Sequence, residues 1–343
     1  MSTSIPLKLN KVLVIGLGQL GLPVAKYIFD KGFDVYGYDN NNETIIRAKK
    51  KIGIKTTTSF KNFDIYIICI STHNPNDISS PQIDGLFSII NKISSEAKNG
   101  SLVSIESTIP LGTSKKIFEL LEHRLHVVHA PHRWYSLDEQ NYGVNQLRVI
   151  GGVKPCCLKL GLDFYNGNLK CNSSRISNEE NILLHFDKLE NNNIFPDNRQ
   201  LNIIDGRFYS QDNLVISRNN KSLEIPMHAV SSIEIAELTK IIENSHRYLQ
   251  IAFAEELYLH CQANHILFSD LRDALNTKWN VEILEPREGI DGHCLPKDTK
   301  MFLNSSTMKS KILQSAIEVD SIYRNFRLRR EKKLITSIEN IKN

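Results

Sequence analysis

A short apolar run that closes on glycine, with two more glycines at fixed spacing behind it, constrains this chain most. Lys11 to Gly16 reads KVLVIG, and Gly16, Gly18 and Gly21 form G-x-G-x-x-G around Gln19 and Leu20. Leu22 to Lys31 has helical texture, and Phe33 to Tyr38 reads as a second strand ending in Asp39. In such a β-turn-α-β unit the first glycine permits the tight turn and the second lets backbone approach a pyrophosphate. The third allows close helix–strand packing, and the helix N-terminus attracts negative charge. An acid about 20 residues on suits a ribose 2′-hydroxyl and repels a 2′-phosphate. Gly16, Gly18, Gln19, Leu20, Gly21 and Asp39 are therefore expected to hold a dinucleotide, NAD in preference to NADP.

Further strands follow at α/β spacing. Asp64 to Ser71, Leu102 to Glu106, His126 to His129 and Gln146 to Ile150 are apolar runs, with helical segments at Ile83 to Ala97 and Ile117 to Leu121. Near-continuous apolar strands are those covered on both faces, as in a parallel sheet. The expected class is α/β, an N-terminal Rossmann doubly wound parallel sheet. Ligands of such sheets sit beyond the strand C-terminal ends, and Thr72, Thr108, His132 and Arg133 all fall just past such ends. His126, His129 and His132 form H-x-x-H-x-x-H. Residues three apart on a strand point to opposite faces, and no carboxylate or cysteine completes an evident set, so no metal is expected there.

Residues 154–225 change in texture, with runs of asparagine at Asn191 to Asn193 and at Asn219 and Asn220. A short helix at Ile182 to Leu189 and a hairpin of Leu214 to Ile216 with Ser222 to Ile225 are expected there. Adjacent Cys156 and Cys157 are read as diverging, unpaired thiols. From Ser231 to about Ala263 no proline or glycine interrupts an apolar stripe, which predicts one long helix with a Ser231–Glu234 capping box. Such a helix serves as a spine between parts of a protein or between subunits. Lys240 and Asn244 share one face a turn apart; on the helix alone they read first as a solvated lysine and an incidental asparagine. A short helix is expected at Ser269 to Asn276. Glu285 to Asp298 is dense in glycine and proline and reads as a shaped loop. Within it, Cys294 beside His293 and Lys297 is either a nucleophile of lowered pKa or an ordinary loop thiol. A final helix covers about Ser310 to Glu339.

The formal net charge of the 343 residues is +4. Much of the excess lies at Arg327, Arg329, Arg330, Lys332 and Lys333, without interleaved aromatics, which fits a solvated helix face rather than a nucleic-acid site. No apolar run approaches the ~20 residues of a membrane span, and the start has no apolar signal core. Six cysteines without a regular framework fit a reducing compartment. A cytoplasmic location is expected.

Five motifs standing in order resemble the nucleotide-sugar 6-dehydrogenases, the UDP-glucose, UDP-N-acetylmannosamine and GDP-mannose dehydrogenase family. They are VIGLGQLGLP (Val14 to Pro23), ESTIPLGT (Glu106 to Thr113), RVIGG (Arg148 to Gly152), AELTKIIEN (Ala236 to Asn244) and GHCLPKD (Gly292 to Asp298). The resemblance implies a two-step oxidation of a sugar C6 alcohol to a carboxylate with NAD, through a thiohemiacetal and a thioester on Cys294. It implies that Lys240 and Asn244 stabilise an oxyanion, that Asp298 handles water, and that Thr108 holds water or substrate. Arg133, Lys240, Asn244 and Gly292 would contact the substrate. It also implies an all-α central domain that forms a homodimer through the long helix.

Three departures stand out. His132 follows Pro131 where the family usually has Glu; either it takes over that acid/base role with a different pH dependence, or the site serves another substrate. Asp291 replaces a usual glycine. After Arg330 no further strand–glycine–helix unit is legible, so the family's C-terminal nucleotide-binding domain is expected to be absent. The expected division is a nucleotide-binding domain over 1–153, an insertion or extension over 154–225, and a helical central domain over 226–343. The alternatives are a two-electron β-hydroxyacid-type dehydrogenase and a non-catalytic NAD-binding or assembly subunit.

Overall fold

The computed structural model describes residues 9–167 and 221–342, apart from residues 75, 293, 306 and 308 and the side chains of 78, 79 and 333–342. The first part runs β1 (Lys11–Ile15), α1 (Gly21–Asp30), β2 (Asp34–Tyr38), α2 (Asn42–Ile52), β3 (Lys55–Thr56) and β4 (Ile65–Ile68). A small hairpin of β5 (His73–Asn74) and β6 (Asp77–Pro81) precedes α3 (Asp84–Glu96), β7 (Leu102–Ile105), α4 (Thr113–Leu120) and β8 (His126–His129). Then come α5 (Glu139–Tyr142), β9 (Arg148–Gly152), α6 (Pro155–Tyr165) and β10 (Met227–Ala229).

Eight strands form one sheet in the order β10-β9-β8-β7-β4-β1-β2-β3. Its central strands are parallel, with Val12 opposite both Val35 and Ile65, and Leu102 opposite both Ile65 and His126. β9 alone turns antiparallel to its neighbour β8, with Val128 opposite Gly152. The order reverses at β1 and β4, so their C-terminal ends flank the crevice where this architecture binds ligands. Val12, Val14, Ile65, Ile67, Ile68, Val103 and Val127 are fully buried. Each such side chain contributes about 1.5–3 kcal/mol on burial, which accounts for the continuous apolar reading of these strands.

The region past residue 153 belongs to this same core for its first turns. Leu160, Phe164 and Tyr165 of α6 are buried in it, and Leu223 and Ile225 return to donate to the Phe164 and Tyr165 carbonyls. Residues 222–225 form no strand, so the expected hairpin is not made by that half. The expected helix at Ile182 to Leu189 and the strand Leu214 to Ile216 lie outside the described residues. Cys156 and Cys157 do not diverge: both meet His126, with one ligand atom from each of the three residues within 4.8 Å of the others.

The second part is helical: α7 (Ile233–Ala263), α8 (Phe268–Leu275), α9 (Cys294–Leu303) and α10 (Lys311–Lys342). α7 is the expected long helix, 31 residues, but its start differs. The cap is Ser232, without a side-chain cap bond. Glu234 pairs with Lys115 of α4 instead of closing a capping box. The tertiary partner won because the helix begins against the sheet. A Cβ on Gly151 would lie 2.7 Å from Ile233 Cα and 3.0 Å from Ala236 Cβ, so the glycine of β9 is what lets the helix dock. Small cores then join α7 to its neighbours, Tyr248 and Ala252 with Ile290 and Ala316, and Ala254 and Cys261 with Phe268 and Ile283. Among the described residues, no helix is long and apolar enough to cross a membrane.

Candidate active site

The crevice begins at the glycine turn. Gly16 has φ +88°, and a Cβ there would strike the Cys69 carbonyl at 2.6 Å; a Cβ on Gly21 would sit 1.7 Å from the Gly16 carbonyl oxygen. Gly18, by contrast, faces open space. The first and third glycines are thus needed for packing, and the second leaves backbone accessible. α1 has no acidic residue in its first turn and no side-chain cap, so its first N–H groups can receive an anion. Gln19 is exposed beside it and Leu20 half-buried. Asp39 ends β2 as expected, and its carboxylate accepts the Leu17 N–H at 2.7 Å and the Asn41 N–H at 2.8 Å. It braces the turn, and each oxygen keeps a lone pair for a further donor. These residues fit an NAD adenosine and pyrophosphate.

A continuous polar chain ties the sheet to the helices. Thr72, just past β4, donates to the Thr108 carbonyl at 2.8 Å. Lys297 of α9 reaches Thr72 Oγ1 at 3.4 Å and Asp298 Oδ1 at 2.6 Å. Asn244 of α7 donates through Nδ2 to Asp298 Oδ2. Lys297 and Asp298 are buried, so this ion pair is shielded from screening and satisfied on both carboxylate oxygens, the condition under which a buried pair holds. Asn244, Asp298, Thr72 and Thr108 are therefore brought together as the sequence suggested. Lys297, read only as a neighbour of the cysteine, is the link between them.

Cys294 stands at the start of α9 and is exposed. The expected loop is correct only up to Gly292 (φ +81°); from Cys294 the motif is the first turn of a helix, where Pro296 is tolerated because early N–H groups need no intrahelical partner. Of the two readings of this thiol, the lowered pKa is not found. Desolvation and the Asp298 carboxylate push it up, against the opposing pull of Lys297 and Lys240. Lys240 is half-buried, and its charge opposes the rise of the Cys294 thiol and adds to the lowering of His132.

Behind this surface lies a second network. His132 Nε2 is 2.6 Å from Glu106 Oε2, and Arg148 Nη1 is 3.3 Å from the same oxygen, all three side chains being buried. The Tyr165 hydroxyl donates to Glu106 Oε1, and the Arg148 guanidinium lies over the Tyr165 ring at 5.0 Å. Burial opposes the Glu106 charge, yet Arg148 and His132 outweigh it and hold the carboxyl at about 2. His132 goes the other way: burial and Arg148 lower it to about 4 despite Glu106. It is a neutral imidazole at physiological pH. His129 is buried and lowered to about 3 by desolvation. The three histidines do not converge as ligands. Arg133 pairs with Glu243 of α7 and donates to the Leu147 carbonyl at 3.1 Å. Gly292 lies exposed beside Cys294. The sequence reading missed Arg148 and Tyr165 as partners of Glu106; the only signal was their polar character within apolar runs.

A Rossmann crevice opening onto a Cys-Lys-Asn-Asp cluster, carried on a long helix and a short one, defines a two-part nucleotide-binding protein of dehydrogenase type. The comparisons agree. Residues 46–167 match the profile described as UDP-glucose/GDP-mannose dehydrogenase family, NAD binding domain, and residues 234–321 match that family's central domain. The chain belongs to the UDP-glucose/GDP-mannose dehydrogenase family and carries its NAD-binding and central domains. It is 25% identical over 334 residues to a UDP-N-acetyl-D-mannosamine dehydrogenase of Methanococcus maripaludis, an alignment taking in 91% of this chain and 65% of that protein. To the enzyme of that name from Campylobacter jejuni it is 26% identical, over 96% of this chain and 76% of the relative. The chain thus spans about two thirds of the length of such relatives. Among solved structures, the UDP-D-ManNAc dehydrogenase of Pyrococcus horikoshii superposes with a TM-score of 0.68 at 23% identity, covering 96% of this chain and 72% of the other. The two share a fold.

Proposed function

We propose that this chain is the NAD-binding and central part of an NAD-dependent nucleotide-sugar dehydrogenase that oxidises a sugar C6 alcohol to a carboxylate in two steps. The names of the relatives favour a UDP-N-acetylhexosamine as substrate. The observation that carries the reading is the hydrogen-bonded chain Asn244–Asp298–Lys297–Thr72, which ties the helix that Cys294 begins to the loop after β4.

NAD bound at Gly16 to Gly21 and Asp39 supplies the hydride acceptor for each oxidation. The side chains do the rest. The proton of the C6 hydroxyl passes to solvent water; His132, neutral at working pH and buried at both ring nitrogens, stands against Glu106 instead of facing substrate. Cys294 sulfur then bonds to the aldehyde carbon, its proton passing to solvent water, as the C=O π bond breaks and the oxygen becomes an oxyanion that Lys240 and the second Asn244 N–H stabilise. Loss of hydride from that carbon leaves a thioester. Asp298, ionised between Lys297 and Asn244, orients the water whose oxygen replaces sulfur and releases the thiol. Arg133, paired with Glu243, and exposed Gly292 are the residues we assign to the rest of the substrate. Exposed Ile235, Ile242 and Phe253 on α7 suit pairing of two copies along the long helix.

A panel of UDP- and GDP-sugars incubated with NAD tests this reading. Two NADH per acid formed is the expected stoichiometry, and Cys294→Ala should abolish acid while NAD still binds. Acid accumulating at an unchanged rate in that variant would remove the thioester route. One observation favours a two-electron alternative, the raised pKa of Cys294. A single NADH with aldehyde or ketone as product would establish that alternative.

A further inference from the structure

The first turn of α6 and the first residue of β8 meet at the edge of the sheet opposite the crevice. Cys156, Cys157 and His126 each offer a ligand atom there, all within 4.8 Å of one another. We propose that His126, Cys156 and Cys157 form a binding site for a soft divalent cation of the zinc class.

The donor set decides the class. Two sulfurs and one imidazole suit zinc and its softer relatives, whereas magnesium and calcium require oxygen ligands, of which this set has none. Zinc–sulfur bonds of about 2.3 Å and zinc–nitrogen bonds of about 2.0 Å place tetrahedral ligands roughly 3.5–3.8 Å apart. The three atoms therefore have to close by about 1 Å at most. Cys156 and His126 are only partly buried and can rotate to do so, and the fourth position opens to a water.

The backbone is prepared for the charge. Pro155 opens α6, its Lys154 cap makes no side-chain cap bond, and no acid occupies the first turn. The free N–H groups of that turn favour thiolate sulfur. Binding releases the two thiol protons to solvent, and no oxidant is needed. The site is also well placed to act as a staple. The Val153 N–H already bonds the Val127 carbonyl at 3.1 Å, and a cation would fix the helix that follows to the strand beside it. It lies at the N-terminal end of β8. His126 shares its row of the sheet with Leu102 and Ile65, and the crevice groups Thr108 and Thr72 lie past the opposite ends of those strands, roughly 20 Å further along the sheet.

The test uses the full chain with Zn²⁺ as probe. After equilibration and dialysis, elemental analysis should find about one zinc per chain. Co²⁺ in its place should give a thiolate-to-cobalt charge-transfer band with tetrahedral visible transitions. Cys156→Ser and His126→Gln should weaken zinc by more than the roughly 100-fold lost when only an outer partner is removed. Cys69→Ser, at a buried thiol elsewhere, should leave the zinc content unchanged. Should the two site variants not fold, zinc protection of Cys156 and Cys157 against alkylation in the unaltered chain, read by peptide mass mapping, gives the same answer. Substoichiometric zinc, a cobalt spectrum without the charge-transfer band, unprotected Cys156, or equal zinc content in the folded site variants would each overturn the proposal.

Discussion

Two glutamates, one in the sheet and one in the helical part, are buried to the same degree and behave in opposite ways. Glu106 ends β7 with no exposed surface, and Glu255 sits within α7 with none. Around Glu106 stand Arg148, His132 and Tyr165, and its carboxyl is held at about 2. Around Glu255, neither carboxylate oxygen has a hydrogen-bond partner among the described residues. Desolvation, helped by the Asp320 charge, raises Glu255 to about 8, with Arg324 opposing. Arg324 is committed to Asp320, at 3.0 and 3.1 Å. Burial alone does not set the charge of a carboxyl; it is set by whether a cation and donors are aimed at it. The sheet part spends its arginine on the glutamate next to the candidate chemistry, and the helical part leaves its own glutamate to be neutral.

The largest effect should come from breaking the first cluster. Arg148→Met leaves a buried carboxylate without its cation and should cost about 3–5 kcal/mol in urea unfolding. A cost below about 1 kcal/mol would mean that Tyr165 and His132 suffice. The same cluster gives the unaltered chain an acid limb. Because the folded pKa of Glu106 lies below its ordinary 4.5, its contribution is complete above about 4.5 and is lost as pH falls toward 2.

Glu255 should show the reverse slope. Its folded pKa lies above the ordinary 4.5, so between about 4.5 and 8 the folded chain binds the extra proton. Stability then falls as pH rises through that window. Glu255→Gln should flatten the slope, with little change at pH 5 and a gain at pH 8, read by thermal melts across that range. An unaltered slope would show that Glu255 is ionised in the fold.

A third carboxylate gives the smallest effect and bridges the two regions. Glu237 of α7 accepts the Gly112 N–H at 2.6 Å and the Ser114 N–H at 2.7 Å, at the start of α4. Glu237→Gln keeps one acceptor and orphans the other N–H, for an expected loss of about 1–2 kcal/mol. No loss would mean that solvent reaches the α4 end.

The sheet was legible because its signals are local. The glycine spacing, the strand runs and the length of α7 each depend on neighbours within a turn or a strand, and their positions hold to within three residues, the largest miss being the run to Ser71, where β4 stops at Ile68. The order of five motifs made the family legible too. What was hidden is non-local. Glu106 draws its partners from β8's exit, β9 and α6, and Tyr165 lies in a stretch read as having no chemistry. Lys297 shows its use only once α9 is placed against Thr72. Cys156 and Cys157 were judged from adjacency, and nothing in adjacency announces that His126, thirty residues earlier, starts the strand beside them. The capping box failed for a related reason: Glu234 found Lys115 across space.

The contact at Gly151 makes α7 a lever with its fulcrum near one end. Ala236 rests on that glycine, and Lys240 and Asn244 lie four and eight residues on, about 6 and 12 Å along the axis, while Ala263 is about 40 Å away. A tilt of about 5° about the pivot moves Lys240 by roughly 0.5 Å and the far end by about 3.5 Å. Side chains near the fulcrum keep their aim while the distal arm sweeps. Movement at the far end of the spine would therefore reach Lys240 geared down roughly sevenfold and Asn244 roughly threefold.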